Sequence, residues 1–198
     1  MTRRIAAIAL AGGRSARFGR DKLAEPIDGR PMLDHVIDRV RAVATDIVVV
    51  GRSDAPATAT DAFRVIADDR PFEGPLAGLG VGLRALDPVI EHVLVVGGDM
   101  PELVPAVLAR LAASLDVHEA AVLADDVGPR PLPMAVRRSV GSTAVDRLLA
   151  GGERRLRALL GELDVEVVPQ ETWRLHDPDG LTLLDVDVPG DMPKGHAR

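Results

Sequence analysis

Residues 5–22 read IAAIALAGGRSARFGRDK, a short apolar run followed by a loop rich in glycine and arginine. The apolar run has the length of a buried β-strand. Gly12 and Gly13 allow a tight turn that brings backbone N–H groups close to an anion. Up to four positive charges follow within nine residues, at Arg14, Arg17, Arg20 and Lys22. A strand that leads into such a loop predicts a site for a polyphosphate.

Two common phosphate-binding motifs do not describe this loop. The pattern G-x-x-x-x-G-K-[ST] fails because five residues separate Gly13 from Gly19 and because Leu23 follows Lys22. The pattern G-x-G-x-x-G is missing as well, and the GLGVG at residues 78–82 follows no strand directly. We interpret those three glycines as positions of close helix packing. The sequence therefore favours neither a P-loop kinase nor an NAD-binding protein.

The composition limits the class of protein. The chain has 198 residues, 46% of them hydrophobic and 27% charged, which predicts one α/β domain with a tail that frays beyond about residue 189. The net charge of −6 and the scarcity of aromatic residues argue against nucleic-acid binding. The chain has no cysteine, which excludes disulfides, cysteine-based zinc sites and thiol nucleophiles. No apolar run is long enough to span a membrane, so we expect a cytoplasmic protein.

Strand-like apolar runs alternate with helical patterns along most of the chain. Strands are predicted at residues 5–10, 46–51, 63–67, 92–96, 120–124 and 132–136. Helices are predicted from residues 30–33 onward and at 74–86, 103–115, 139–150 and 153–163, and two short apolar runs follow at 165–168 and 181–184. This alternation indicates a three-layer α/β/α sandwich around a mostly parallel, Rossmann-like sheet.

Ligands bind such sheets at the carboxyl ends of the strands. The residues at those positions are Gly12 to Lys22, Gly51, Asp68-Asp69 and Gly97-Gly98-Asp99. Asp99 follows a buried strand, its two glycines leave room for a ligand, and a carboxylate there suits Mg²⁺. The alternative is that Asp99 caps a helix that begins near Glu102. For Asp68 the alternative is a turn cap.

The segment LAGGRSARFGRDK resembles the signature of molybdenum cofactor guanylyltransferases. Further elements of that family follow in order along nearly the whole chain: an aspartate after a strand at Asp68, GPLAG at 74–78, GGDMP at 97–101, GGERR at 151–155 and DVDVP at 185–189. The resemblance implies the nucleotide-diphospho-sugar transferase fold and, as substrates, GTP and molybdopterin or a similar phosphorylated acceptor. Other molybdenum cofactor proteins are candidate partners. LAGG, where the cytidylyl relatives have LAAG, favours the guanylyl enzyme.

The resemblance also implies roles for individual residues. The expected nucleotide contacts are Leu10, Ala11, Gly12, Gly13, Lys22, Gly51, Asp68 and Asp99, with Asp69 as the alternative to Asp68. Arg17, Lys22 and Asp99 are the expected catalytic residues. Asp99 would bind Mg²⁺, and Asp187 is a candidate second ligand whose alternative role is to cap a turn. Arg154 and Arg155 could reach the pterin phosphate or could simply be solvated.

The sequence departs from the family at two places. Asp185-Val186-Asp187-Val188-Pro189 stands where relatives have N-[IV]-N-T-P, and Arg130-Pro131 stands where they often have His-Pro. The resemblance implies that the first change alters any pterin or nucleotide contact made by the asparagines, and that the second lies on the acceptor side. Three hypotheses follow: guanylyl transfer to molybdopterin; nucleotidyl transfer with another base or acceptor, such as cytidylyl transfer or a phospholactate or sugar-phosphate acceptor; and a non-catalytic nucleotide-binding protein that delivers the cofactor.

Overall fold

A computed structural model of the chain describes residues 4–12, 22–51, 63–67 and 73–191. The strands of these residues are β1 (Ile5–Leu10), β2 (Pro26–Ile27), β3 (Arg30–Pro31), β4 (Asp46–Gly51), β5 (Arg64–Ala67), β6 (His92–Gly97), β7 (Ala120–Asp125), β8 (Gly128–Arg137) and β9 (Val165–Val168). The α-helices are α1 (Met32–Arg41), α2 (Pro75–Ala85), α3 (Pro105–Ser114), α4 (Arg138–Ala150) and α5 (Gln170–Trp173). Short 3-10 helices cover Lys22–Ala24, Leu156–Gly161, Leu181–Leu183 and Pro189–Asp191.

The main sheet of the described residues has the strand order β5-β4-β1-β6-β8-β7-β9. β1 pairs in parallel with β4 and β6, β4 with β5, and β7 with β9. β8 is antiparallel to both of its neighbours, β6 and β7. The prediction of a mostly parallel sheet is therefore confirmed, with one reversed strand that a tight hairpin joins to β7.

Alternate residues along the central strands of the main sheet enter two hydrophobic cores, one on each face of the sheet. In β1, Ala7 and Ala9 face the core that contains α1 and α3, whereas Ala6 and Ile8 face the core that contains α2 and α4. Burial on both faces explains why the strands read as continuous apolar runs. The three-layer α/β/α architecture is confirmed. In the parts of the chain described here, no helix combines the length and the apolar character that crossing a membrane requires.

The glycines of α2 allow this helix to lie close to its neighbours, as the sequence indicates. A Cβ atom at Gly82 would lie 2.7 Å from a methyl carbon of Ile8 in β1, and one at Gly80 would lie 3.0 Å from Val145 in α4. Gly78 faces Leu10 and Val50 at ordinary contact distance. A side chain at Gly82 would push α2 away from the sheet, and one at Gly80 would push it away from α4.

The prediction of a helix over residues 153–163 is wrong. Residues 153–155 are not helical, and only a 3-10 helix follows at Leu156–Gly161. The Glu153 carboxylate accepts hydrogen bonds from the Arg154 and Arg155 amides, and the Arg154 carbonyl accepts one from the Leu76 amide of α2. These side-chain and long-range bonds satisfy the backbone groups that an α-helix would have used.

The apolar run at residues 181–184 is a 3-10 helix at Leu181–Leu183. The buried Asp177 carboxylate caps it by accepting hydrogen bonds from the Leu181 and Thr182 amides, at 3.0 and 2.7 Å. The hydroxyl of Thr182 in turn accepts a hydrogen bond from the Val104 amide just before α3. This turn therefore attaches the segment that precedes DVDVP to the body of the fold.

Candidate active site

Three strand ends meet at the edge where the sequence predicts the site. The Ala11 amide donates a hydrogen bond to the Val50 carbonyl of β4 (2.7 Å), and the Gly98 amide donates one to the Leu10 carbonyl (2.9 Å). Gly51 ends β4 at the same edge. The chain that leaves β1 is therefore held between β4 and β6, and Leu10, Ala11 and Gly12 lie at the carboxyl end of the parallel strands.

Gly97 and Gly98 make room for protein atoms. A Cβ atom at Gly98 would lie 3.3 Å from the Leu10 carbonyl oxygen and 3.3 Å from a methyl carbon of Leu23. A Cβ atom at Gly97 would collide with the Asp99 carboxylate. The sequence interpretation is that these glycines leave space for a ligand. The space next to their Cα atoms is instead filled by protein atoms. The two glycines allow the chain after β6 to lie against the chain after β1, which places Asp99 there.

Lys22 and two of the predicted carboxylates come together at this edge. The Lys22 ammonium donates a hydrogen bond to Asp99 Oδ2 at 2.7 Å and to the Val186 carbonyl at 3.1 Å. Asp187 Oδ1 lies 3.5 Å from the same nitrogen. The Lys22 side chain is 17% exposed and that of Asp99 27%, whereas that of Asp187 is 54% exposed. The cluster is thus partly buried and opens to solvent on the side of Asp187.

Asp99 does not cap the following helix, and the turn that begins at Asp187 is capped by another aspartate. α3 begins at Pro105 after Val104, so Asp99 does not cap it. The turn at residues 187–191 is capped by Asp191, whose carboxylate accepts hydrogen bonds from the Asp187 and Val188 amides at 3.0 Å each. The Asp187 carboxylate lies 3.5 Å from the Lys22 nitrogen.

Val186 is a site residue that the sequence reasoning missed. Its amide donates a hydrogen bond to the Asp99 carbonyl at 2.9 Å, while its own carbonyl accepts from Lys22. Its side chain is 2% exposed and packs with Ile27 and Met32. The sequence signal is a single apolar residue between two aspartates. Side chains alternate along an extended segment, so the apolar one would point inward when the aspartates point outward.

A small hairpin holds Lys22 in place. The 3-10 helix Lys22–Ala24 leads into the paired strands β2 and β3, whose turn contains Asp28 and Gly29 at φ of 49° and 79°. The Met32 amide at the start of α1 donates a hydrogen bond to the Glu25 carbonyl at 2.9 Å. The hairpin therefore attaches the lysine to α1. It also attaches the lysine to the segment 185–189, because Ile27 of the hairpin packs against Val186.

The GPLAG and GGERR segments contact each other, although about 80 residues of chain separate them. A Cβ atom at Gly74, whose φ is 93°, would lie 2.9 Å from the Arg154 carbonyl oxygen. Only glycine combines this backbone conformation with so close an approach. The contact places both segments at the amino end of α2, next to the carboxyl ends of β1 and β4.

Arg154 and Arg155 are engaged within their own loop. The Arg154 guanidinium donates to the carbonyls of Leu149 and Glu153 at 3.3 and 2.8 Å. The Arg155 guanidinium pairs with the Glu153 carboxylate and is 82% exposed. Hydrogen bonds from the Arg155 side chain and from the two arginine amides lower the pKa of Glu153 far below its usual range. The structure thus shows these arginines stabilising the loop.

On the reversed strand, Arg130 pairs with Asp125 at 2.9 Å across the β7–β8 hairpin. The Val127 amide, and then the Arg130 guanidinium, lower the pKa of the Asp125 carboxyl. The remaining predicted site residues, Gly13, Arg14, Arg17, Arg20, Asp68 and Asp69, lie outside the described residues.

The carboxylates at this site suit a divalent cation that completes its coordination shell with water or substrate oxygens. In residues 4–12, 22–51, 63–67 and 73–191, no group of three or more histidine, aspartate or glutamate side chains is arranged to hold a metal. Two carboxylates, those of Asp99 and Asp187, nevertheless face one cation, the Lys22 ammonium. Mg²⁺ is often held by one or two carboxylates together with water and substrate phosphates. The residues therefore fit the predicted metal.

Known proteins resemble this chain over most of its length. Residues 7–171 match the family model of the MobA-like NTP transferase domain. The chain is 33% identical over 190 residues to a probable molybdenum cofactor guanylyltransferase of Chloroflexus aggregans, covering 93% of this chain and 90% of the relative. It is 36% identical over 168 residues to a molybdenum cofactor guanylyltransferase of Burkholderia orbicola, covering 78% and 80%.

Among solved structures, the fold is similar to that of molybdopterin-guanine dinucleotide biosynthesis protein A from Archaeoglobus fulgidus. The TM-score is 0.77 at 24% identity, covering 95% of this chain and 94% of that chain. Fold, family model and sequence relatives agree. The chain belongs to the MobA-like NTP transferase family and is a nucleotidyltransferase.

Proposed function

We propose that this protein is a Mg²⁺-dependent guanylyltransferase that transfers GMP from GTP to molybdopterin and releases pyrophosphate. The observation that carries the proposal is the meeting of the Lys22 ammonium with the Asp99 and Asp187 carboxylates at the carboxyl edge of the sheet. The choice of substrates is supported by the relatives, which are named for molybdenum cofactor guanylyl transfer.

The reaction is a substitution at the α-phosphorus of GTP. An oxygen of the acceptor's phosphate monoester attacks and forms a new P–O bond. The bond from the α-phosphorus to the oxygen that bridges to the β-phosphorus breaks, and its electron pair leaves with pyrophosphate. A phosphate monoester is already anionic near neutral pH, so the step needs no general base. It needs positive charge where negative charge accumulates, on the leaving pyrophosphate.

The residues of the cluster divide this task. Asp99 and Asp187 would hold Mg²⁺, which when bound neutralises phosphate charge. Lys22 would pair with the β- and γ-phosphates, and we propose that Arg17 shares this contact. Leu10, Ala11, Gly12, Gly13, Gly51 and Asp68 are the proposed contacts to the rest of the nucleotide. A Cβ atom at Gly12 would have no heavy atom of the described residues within 4 Å, so a phosphate could approach the backbone there.

Pyrophosphate release tests the proposal. The purified protein is incubated with each of the four ribonucleoside triphosphates, with and without Mg²⁺, in the presence of molybdopterin, 2-phospholactate or a sugar phosphate. We expect release only with GTP, Mg²⁺ and molybdopterin together. Preference for CTP, or for one of the other acceptors, would instead support the second hypothesis. No release from any combination would contradict nucleotidyl transfer by this site.

A further inference from the structure

The Lys22 ammonium lies between the two carboxylates that would hold the metal, those of Asp99 and Asp187. Among the described residues, the oxygens within 3.5 Å of its nitrogen include Asp99 Oδ2, the Val186 carbonyl and Asp187 Oδ1. Two of these three belong to the proposed metal ligands. An ammonium and a divalent cation therefore compete for the same oxygens.

The chemistry of lysine suits this position. The chain contains 24 lysines and arginines, of which only Lys22 and Lys194 are lysines. An ammonium is a compact point charge with three donors, as a metal ion is a compact charge among oxygens. A guanidinium is a planar fork that binds one carboxylate edge-on and cannot be enclosed in this way. The chain uses arginine at almost every other basic position. At this cluster it has a lysine, whose compact charge resembles that of a metal ion.

We propose that Lys22 is an internal counterion that occupies the metal position of the free enzyme and is exchanged for Mg²⁺ when the nucleotide binds. The inference rests on the proposed function, since it concerns the metal and nucleotide of that reaction. It also predicts how the binding of metal depends on the binding of nucleotide. Metal alone has to displace the ammonium into water, whereas metal that arrives with a triphosphate offers the ammonium a new anionic partner.

The two cations exclude each other for electrostatic and steric reasons. Mg²⁺ binds carboxylate oxygens at about 2.0–2.1 Å, and Lys22 already lies 2.7 Å from Asp99 Oδ2. Two positive charges on one oxygen of a partly buried carboxylate repel strongly. Because the ammonium sits on a flexible four-carbon stem, it can swing from Asp99 to a phosphate while the hairpin that carries it stays in place. Metal and nucleotide should therefore bind with positive coupling.

Binding of Mn²⁺ alone, measured by titration calorimetry without nucleotide, tests this exchange. Lys22→Met removes the competing ammonium and should tighten Mn²⁺ binding on the order of tenfold, within the usual range of coupling between ligands. Arg30→Met is the matched control, because it removes one positive charge from the same hairpin while its ion pair is with the surface residue Asp38. We expect the Mn²⁺ affinity of this control to equal that of the wild type. Equal, weaker or undetectable Mn²⁺ binding by Lys22→Met overturns the proposal.

The wild-type protein provides a second test that does not depend on how a variant folds. Selective ¹³C labelling of lysine gives two side-chain sets of signals, and Lys194→Arg identifies the set that belongs to Lys22. Saturating GTP with Mg²⁺ should shift the Lys22 ε-carbon signal much more than GTP or Mg²⁺ alone at the same concentration. A Lys22 signal that does not respond to the three additions, or responds fully to GTP without metal, overturns the exchange.

These measurements separate the inference from the proposed function. Tighter Mn²⁺ binding by Lys22→Met, together with no pyrophosphate release by the wild type, would support the counterion and contradict the reaction. Pyrophosphate release from GTP by a wild type whose Mn²⁺ affinity equals that of Lys22→Met would support the reaction and contradict the counterion.

Discussion

At the scale of the residue, Asp99 is the side chain whose charge matters most to the proposed reaction. Asp99→Asn keeps the size of the side chain and an oxygen that can accept from Lys22, but it removes the negative charge from the metal site. We expect pyrophosphate release to fall at least about 100-fold, as when one electrostatic stabiliser of a transition state is lost. The melting temperature should stay close to that of the wild type.

Asp126→Asn is the matched control for this variant, because Asp126 lies exposed at the tip of the β7–β8 hairpin. It should leave both turnover and melting temperature unchanged. If Asp99→Asn instead keeps its turnover and melts at a clearly lower temperature, Asp99 has a structural role and is not a metal ligand.

The ion pair of Arg110 with Glu166 predicts a pH-dependent contribution to stability. Hydrogen bonding from Arg110, in α3, lowers the pKa of Glu166, in the edge strand β9. A carboxyl whose pKa is lower in the folded state stabilises the protein above its unfolded pKa, and this contribution disappears as the pH falls through the folded value. Glu166→Gln should therefore destabilise the protein at pH 7 by about 1 kcal/mol or less.

Urea unfolding at several pH values checks this prediction. The difference in unfolding free energy between wild type and Glu166→Gln should be constant from pH 7 to about pH 5 and should shrink below the ordinary glutamate pKa of 4.5. A difference that grows on acidification would show that the pair does not contribute in this way.

At the scale of the element, the packing of α2 on β1 depends on Gly82. A methyl group there would lie 2.7 to 3.1 Å from three side-chain carbons of the fully buried Ile8. The strain of such overpacking is about 1–3 kcal/mol, whereas the gain in helix propensity from glycine to alanine is about 1 kcal/mol. We therefore expect Gly82→Ala to lower the free energy of unfolding.

Denaturant unfolding of three variants tests this contact. Gly161→Ala is the control, since a Cβ atom at Gly161 would meet none of the described heavy atoms within 4 Å. It should be close to neutral. Gly82→Ala combined with Ile8→Ala should cost less than the sum of the two single changes, because the shorter residue 8 makes room for the new methyl group. Strict additivity would mean that the two side chains do not interact.

At the scale of the whole molecule, ligand binding should stabilise the fold. Arg14, Arg17, Arg20 and Lys22 concentrate positive charge in a chain whose net charge is −6, so an anion should relieve their mutual repulsion. GTP with Mg²⁺ should raise the melting temperature more than CTP or ATP with Mg²⁺, and more than GTP alone. Equal increases in melting temperature with the three nucleotides would contradict selectivity for guanine. No increase with any of them would contradict the proposed nucleotide site.

The sequence by itself was enough to predict the architecture and to place Lys22 and Asp99 at one edge of the sheet. Continuous apolar runs such as Ile5–Leu10 and Asp46–Gly51 indicate strands buried on both faces, and such strands require helices on both sides. Since parallel strands present their carboxyl ends at one edge, Lys22 and Asp99 could be assigned to the same edge before their contact was known. These inferences depend on local periodicity and on a general rule of topology.

Only the tertiary structure decided how these residues meet. Lys22 pairs with Asp99 across 77 residues of chain and with the Val186 carbonyl across 164. The non-helical conformation of residues 153–155 likewise depends on a bond from the Arg154 carbonyl to Leu76. Contacts of this kind are made by side chains and backbone groups that become neighbours only when strands, helices and hairpin pack together. No local pattern encodes them, because their free energy depends on partners that are distant in sequence.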